Sequence, residues 1–166
     1  ADEIHANNVK RVIRALEFYH QTGMPISQHN EEERKKESPY SFAYFVLNDE
    51  RSRLYERIDR RVDQMIDEGL VDEARALKLR GYDRKMVSMQ GLGDKEILSY
   101  LEGECSLEEA VYILKRDTRH FAKRQITWFK RERDVIWLPK DQYNYDETAI
   151  LEAMLRILRE RKIIES

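Results

Sequence analysis

The stretch Phe42-Ala43-Tyr44-Phe45-Val46-Leu47 decides the fold class of this 166-residue chain. Its apolar residues do not alternate with polar ones, which is typical of a strand covered on both faces, as in a parallel sheet. Val135-Ile136-Trp137-Leu138, closed by Pro139, repeats this pattern towards the other end. Because two strands do not make a stable sheet by themselves, we expect partner strands from a segment outside this sequence or from another chain. The pattern predicts an α/β fold with two strands in this chain.

Helical periodicity fills most of the sequence around these strands. Asn7 or Asn8 predicts the cap of a first helix, which runs to about residue 20 and stops at Thr22-Gly23. Asn48 or Asp49 predicts the cap of a second helix, which ends at Gly69. Further helices are expected to end near residues 80 and 101, to begin at Ser106 with Glu109 as a capping box, and to begin at Asp146.

Apolar stripes mark the expected buried faces of these helices, and one charged stretch separates two elements. Residues 28–39 are dominated by charged side chains and are interpreted as a solvated connection. The stripes that matter below are Val9, Val12, Ile13 and Leu16 in the first helix, Val111, Leu114, Phe121 and Ile126 in the helix after Ser106, and Leu151, Met154, Leu155 and Leu158 in the last helix.

Charge and cysteine content limit the classes of function. Although 37% of the residues are charged, the formal net charge is −2, so affinity for nucleic acid must come from a local basic patch. The single Cys105 argues against a disulfide framework and suits a reducing compartment. No apolar run approaches the roughly 20 residues of a membrane span. We therefore expect a cytoplasmic protein with no membrane partner.

The strongest local signal for function is Lys123-Arg124-Gln125-Ile126-Thr127-Trp128-Phe129-Lys130, at the end of the longest predicted helix. Between Lys115 and Arg133, eight residues are basic and two are acidic. Fixed cations suit the phosphates of a nucleic acid, while aromatic faces and amide groups suit its unstacked bases. The stretch therefore predicts an RNA-facing helix, and the alternative is an ordinary solvent-facing helix. Trp128 itself is expected on the buried side of the helix, close to Ile126.

Paired arginines follow the first strand. Arg57 and Arg61 are four residues apart and share one helix face, and Arg60 lies close by. Guanidinium groups bind phosphate oxygens through two parallel hydrogen bonds, so this pattern suits a phosphate-transfer fold. The alternative is ordinary surface pairing at helical spacing, which is the more frequent arrangement, with Glu56, Asp59 and Asp63.

Two glycines bracket a turn before a predicted helix, in Gln90-Gly91-Leu92-Gly93-Asp94-Lys95-Glu96. Glycine lets the backbone approach a ligand closely, and a helix N-terminus favours an anion. The spacing is not that of a P-loop, and an ordinary glycine hinge is the alternative. The four histidines show no metal-ligand spacing with Cys105 or with each other, so no metal site is predicted in this chain.

Several motifs in collinear order make the chain resemble the bacterial tRNA dimethylallyltransferases. The match runs from the start of the chain to about Leu138, whereas the final helix is generic. Asp94 stands where the family commonly has Tyr, and Gln90 where some members have Arg. The matching motifs are Ile4-His5-Ala6-Asn7-Asn8, Arg11-Val12-Ile13-Arg14-Ala15-Leu16-Glu17, Thr22-Gly23, Gln90 to Glu96, Tyr100-Leu101-Glu102-Gly103-Glu104 and Lys123 to Phe129.

This resemblance implies an activity: transfer of a dimethylallyl group from its diphosphate to the N6 amine of adenosine 37 in the tRNA anticodon stem-loop. It implies a P-loop-type α/β transferase core with helical additions, and Mg²⁺ on the diphosphate with ligands outside this chain. No stretch here matches the family's phosphate-binding loop or its general base. The chain is therefore similar to the C-terminal half of such an enzyme. We expect this half to work with the N-terminal half and to be inactive alone.

The resemblance also implies site residues and a division of the chain. Arg61 matches the family's diphosphate-contacting arginine. Residues 1–38 are expected to end a helical insertion, residues 39–68 and 134–166 to belong to the α/β core, and residues 69–133 to face tRNA. The implied tRNA contacts are Lys10, Arg11, Arg14, Gln90, Gly91, Gly93, Lys95, Lys123, Arg124, Gln125, Thr127, Trp128 and Lys130.

Two other functions remain open at this point. A non-catalytic helical RNA-binding module accounts for the basic aromatic helix. The lid half of a P-loop small-molecule kinase accounts for the arginines but leaves that helix unexplained.

Overall fold

The computed structural model describes residues 8–165, which form two compact units, one up to Phe42 and one from Ala43. The predicted cap Asn7 lies outside the described residues. The division into residues 1–38, 39–68 with 134–166, and 69–133 remains a prediction.

The first unit contains helix α1, Val9–Thr22, and helix α2, Ile26–Lys35. Helix α1 ends at Gly23 as predicted, in the left-handed conformation with φ 69°. The interpretation of residues 28–39 as a connection is wrong, because most of them are helical. Their charged side chains are solvated as expected, but Glu, Arg and Lys are also good helix formers. The apolar stripe of α1 is largely exposed, and none of its residues is buried.

The second unit contains the two predicted strands, β1, Tyr44–Asn48, and β2, Val135–Pro139. They pair in parallel, with Tyr44 opposite Val135 and Asn48 opposite Pro139. The expectation that this stretch is covered on both faces is wrong for the described chain, since the Leu47 residue is 54% exposed. A strand pair has too few neighbours to cover both of its faces.

Five α-helices complete the second unit: α3, Arg51–Asp67; α4, Leu70–Leu79; α5, Asp94–Leu101; α6, Leu107–Phe129; and α7, Glu147–Glu160. Short 3₁₀ helices cover Val87–Gln90 and Lys140–Tyr143. The predicted caps of α6 and α7 are present: Ser106 Oγ accepts from the Glu109 N–H at 3.1 Å, and the Asp146 carboxylate accepts from the Thr148 N–H at 2.9 Å. None of the helices described between residues 8 and 165 has the length and apolar character needed to span a membrane.

The core of the second unit lies where α6 packs against α3 and α5, and where α4 packs against α5. Ile97 and Leu98 of α5 are fully buried, and Leu114 of α6 is buried with them. Two stripe predictions are wrong in part. Phe121 is exposed on α6, and Leu151 is exposed on α7, whose buried face is centred on Ile150 and Ala153. The packing therefore fixes α3 and α6 side by side, which positions the residues considered next.

Candidate functional site

The cations of the first half of α6 are used within the fold. Lys115 Nζ lies 2.6 Å from Asp63 Oδ1 of α3, and Arg119 donates to Asp59 of the same helix. These ion pairs join α6 to α3, and both cationic side chains are mostly covered. The alternative of surface pairing within α3 is therefore wrong for Asp59 and Asp63, whose partners come from α6. The basic excess of residues 115–133 is only partly available to a ligand.

The second half of α6 presents a different surface. Lys123, Arg124, Thr127 and Trp128 line one depression of about 490 Å³, together with His120 and Arg131. The expectation that Trp128 is buried is wrong, because the residue is 53% exposed; its ring makes an edge-to-face contact with Phe129, with the ring centres 5.2 Å apart. We call these six residues the basic aromatic face. It combines cations with an exposed indole, which is what a single-stranded nucleic acid requires.

Gln125 does not belong to this face. It lines a separate cavity of about 310 Å³ together with Asn48 and Asp49 at the end of β1 and Lys140 after β2. Helix geometry explains the separation, because successive residues point about 100° apart around the axis. Lys130 is exposed at the C-terminal cap of α6. The structure thus brings together four of the six predicted contacts in this stretch and places Gln125 beside the strands.

The glycine turn is held by a buried carboxylate. Gly93 has φ 110°, a backbone conformation that residues with a side chain rarely adopt. Its N–H donates to Glu96 Oε2 at 2.9 Å, and Glu96 is 3% exposed. Lys95 Nζ lies 3.0 Å from Glu96 Oε1 and 3.8 Å from Asp117 Oδ2, so this predicted contact is shared between two carboxylates. The pKa of Asp94 is raised above its usual value, first by partial burial and then by the nearby negative charges of Glu73 and Glu96.

Gln90 and Gly91 begin this turn and are exposed. The Gln90 amide donates to the Arg84 carbonyl at 3.3 Å, which leaves its oxygen available. In the first unit, the predicted contacts Lys10, Arg11 and Arg14 are exposed on α1.

The paired arginines lie in an open cleft of about 920 Å³, which we call the arginine-lined cleft. Arg57, Arg60 and Arg61 of α3 line it, and Leu92 of the glycine turn lies on its wall. The Arg61 side chain is 59% exposed, and its Nη1 lies 3.3 Å from Glu68 Oε2. Of the predicted surface pairs only Arg60 with Glu56, at 3.4 Å, is present within α3. The arginines and the glycine turn thus meet at one cleft.

The structure also shows a cluster at the carboxyl ends of the strands that the sequence analysis did not predict. The Asp49 side chain, 4% exposed, accepts from the Tyr145 hydroxyl at 2.9 Å, and its Oδ2 lies 3.9 Å from Arg57 Nη1. The Arg53 guanidinium lies 4.7 Å from the centre of the Tyr145 ring. Partial burial and the hydrogen bond to Asp49 raise the pKa of Tyr145.

The prediction that Asn48 or Asp49 caps α3 is wrong. The N-cap residue is Glu50, without a side-chain hydrogen bond to the helix, and Asp49 binds the Glu50 N–H instead. A signal for this cluster was nevertheless present in the sequence. Asp49 directly follows β1 and Lys140 directly follows β2. The carboxyl ends of parallel strands meet at the edge where α/β proteins bind ligands.

Phosphate-binding side chains beside the carboxyl ends of parallel strands are typical of α/β proteins that bind phosphorylated ligands. The chain belongs to the IPP transferase family, whose family model matches residues 1–132. It is 66% identical over 165 residues to the tRNA dimethylallyltransferase of Lachnoclostridium phytofermentans, which covers 99% of this chain and 52% of that protein. It is 54% identical over 150 residues to the tRNA dimethylallyltransferase of Acetivibrio thermocellus, covering 90% of this chain and 48% of that protein.

Solved structures agree with this assignment. The full-length tRNA isopentenylpyrophosphate transferase from Bacillus halodurans matches with a TM-score of 0.71 and 41% identity, over 96% of this chain and 47% of that one. The helix-rich fold with two parallel strands is therefore that of the tRNA isopentenylpyrophosphate transferases. The chain spans about half the length of the curated relatives that it matches.

Proposed function

We propose that this chain is the C-terminal half of a cytoplasmic tRNA dimethylallyltransferase, which acts together with an N-terminal half. The observation that carries the proposal is the basic aromatic face, which lies in the same compact unit as the arginine-lined cleft. The first suits the anticodon stem-loop of a tRNA, and the second suits the diphosphate of dimethylallyl diphosphate. Membership of the IPP transferase family supports the assignment.

In the proposed reaction, the N6 nitrogen of adenosine 37 attacks the allylic C1 carbon of the donor, and the bond from C1 to the diphosphate oxygen breaks. The base must first be turned out of the tRNA loop. The N6 nitrogen loses one proton to a general base, and the diphosphate departs with the bonding electrons. The guanidinium of Arg61 stabilises the negative charge as it develops on the diphosphate.

Residues 8–165 contain no group of three His, Cys, Asp or Glu side chains that could hold a metal ion. The Mg²⁺ that the family resemblance implies is usually held by one or two carboxylates together with substrate phosphates and waters, so it does not need such a group in this chain. We assign the ligands of Mg²⁺ and the general base to the N-terminal half, and no step above depends on either in this chain.

The proposed tRNA contacts form three groups. Lys123, Arg124, Thr127, Trp128 and Lys130 bind the loop through phosphates and a stacked base. The glycine turn, with Gln90, Gly91, Gly93 and Lys95, adds backbone and amide contacts, and Lys95 must exchange its carboxylate partners to reach a phosphate. Lys10, Arg11 and Arg14 add cations from the first unit. Gln125 reaches the flipped base rather than the loop, because it lies beside the strand ends.

A salt series tests the proposal. Replacing Lys123 and Lys130 with alanine in the full-length protein is expected to weaken tRNA binding and to flatten the dependence of log Kd on log salt by about one to two units. The reason is that each phosphate contact releases counterions. Neither lysine has an ion-pair partner among the described residues, so both charges are available to RNA. Binding is measured by titration of unmodified tRNA at several salt concentrations.

Arg156 and Arg159 provide the control. Both are exposed on α7, and replacing them with alanine removes the same charge from a helix without an aromatic face. The control is expected to leave the salt dependence within about half a unit of that of the unmodified protein. If the lysine variant also keeps its affinity and slope, the C-terminal end of α6 is a solvated surface and the RNA proposal is wrong.

Trp128→Ala has a separate expected result. A stacked base contributes about 1–3 kcal/mol, so tRNA affinity should fall by that amount while the salt slope stays unchanged. The melting temperature should change little, because the indole is half exposed. Trp128→Phe retains a face for stacking and should recover most of the affinity. A large loss of thermal stability with unchanged tRNA affinity would show that the ring serves packing alone.

A further inference from the structure

The Asp49 carboxylate is a buried charge at the carboxyl end of β1. Its Oδ1 accepts two hydrogen bonds, from the Glu50 N–H at 2.7 Å and from the Tyr145 hydroxyl at 2.9 Å. A buried carboxylate needs such partners, because an unpaired charge in a covered position costs several kcal/mol. Oδ2 is turned towards Arg57 at 3.9 Å. Asp49 therefore joins a hydrogen-bonded network on one side to an exposed cation on the other.

Arg57 is that cation, and it lines three cavities. It lines the arginine-lined cleft with Arg61, the cavity at the strand ends with Gln125, and a third depression beside Lys140. Its side chain is more than half exposed. An exposed arginine loses side-chain rotamer freedom when a ligand fixes it. A nearby fixed carboxylate reduces this cost by limiting where the guanidinium can lie before the ligand arrives.

Tyr145 is held in place from several sides. Its backbone adopts φ 62°, which is uncommon for a residue other than glycine. Its N–H donates to the Lys140 carbonyl at 3.0 Å, and Arg53 covers its ring. Its hydroxyl then reaches Asp49 across 96 residues of sequence. Backbone strain of this kind persists only where the surrounding contacts impose it, and it is concentrated at functional sites.

We propose that Asp49 and Tyr145 are positioning residues, which hold Arg57 in the arginine-lined cleft so that its guanidinium meets the diphosphate of the prenyl donor. The inference rests on the proposed function for the identity of that ligand. Asp49 supplies the charge that attracts Arg57, and Tyr145 orients the carboxylate so that Oδ2 remains free for this contact. Neither residue touches the donor itself.

A double-mutant cycle in the full-length protein tests the proposal. Asp49→Asn keeps an acceptor for the Tyr145 hydroxyl but removes the charge, and Tyr145→Phe keeps the ring under Arg53 but removes the hydroxyl. Each is expected to raise KM for dimethylallyl diphosphate by about tenfold. The reason is that a small displacement of the Arg57 guanidinium from the diphosphate has effects of this order. The Kd for tRNA should not change. In an Arg57→Ala background, the same Asp49→Asn change should have no further effect on KM.

Asp63→Asn is the control, since Asp63 lies on α3 and pairs with Lys115 rather than with Arg57. It should leave KM for the donor unchanged. Equal effects of Asp49→Asn with and without Arg57 would overturn the proposal, as would a lower melting temperature with an unchanged KM. The same double-mutant cycle is also measured through the Kd for inorganic diphosphate, which binds to the protein but does not react. If the full-length protein transfers no prenyl group but this binding cycle is still non-additive, the proposed function fails and the positioning role stands.

Discussion

Replacing Arg61 with alanine in the full-length protein is expected to lower kcat by about a hundredfold or more, while the Kd for tRNA stays within about twofold. Arg61 lines the cleft, and under the proposed function its guanidinium meets the negative charge that grows on the diphosphate as it leaves. An interaction of that kind acts on the transition state more than on the bound substrates, so its loss appears in kcat. Turnover is measured at saturating tRNA and dimethylallyl diphosphate, and tRNA binding by titration.

Arg75→Ala is the matched control for this prediction. Arg75 is also an exposed helical arginine with one carboxylate partner, Asp72, but it lies on α4 and lines none of the cavities described above. Its replacement should leave kcat unchanged. If Arg61→Ala behaves like Arg75→Ala, the contact of Arg61 with Glu68 is its whole role and the assignment to the diphosphate is wrong.

The 166-residue chain alone is expected to transfer no prenyl group. Its sequence contains no stretch that resembles the family's phosphate-binding loop or general base, and phosphoryl-bearing donors depend on such a loop for fixed backbone donors. The chain is incubated with dimethylallyl diphosphate, Mg²⁺ and unmodified tRNA, and modified adenosine is then measured. The full-length protein in the same assay is the positive control. Modified adenosine formed by the chain alone would show that the catalytic groups lie within it.

The elements of the fold could be read from the sequence wherever local physics decides them. Asp146 and Ser106 start α7 and α6 because their side chains bind the first free N–H groups of a helix, whatever surrounds them. Gly23 ends α1 because its backbone can adopt positive φ. The two strands were visible as apolar runs. Residues 28–39 were misassigned because charge indicates solvation but does not distinguish a solvated helix from a solvated loop.

The candidate site could be predicted only in part, because its contacts depend on packing between distant elements rather than on local preferences. Composition located the basic aromatic helix, but the same residue types make ion pairs and ligand contacts. Only the packing of α6 on α3 decided that Lys115 and Arg119 are consumed by Asp63 and Asp59, whereas Lys123 is not. Likewise, the aromatic character of Trp128 is compatible with a core or with a surface, and its exposure follows from which face α6 turns to its neighbours.

The sequence by itself determined the starts of α6 and α7, the end of α1, the two strands and the family, because these follow from local backbone preferences and from motifs in collinear order. Tertiary structure alone decided which charges remain available, that Gln125 faces the strand ends, and that Tyr145 reaches Asp49. These contacts join residues far apart in the chain. Their geometry depends on how helices and strands pack, and no spacing along the sequence encodes it.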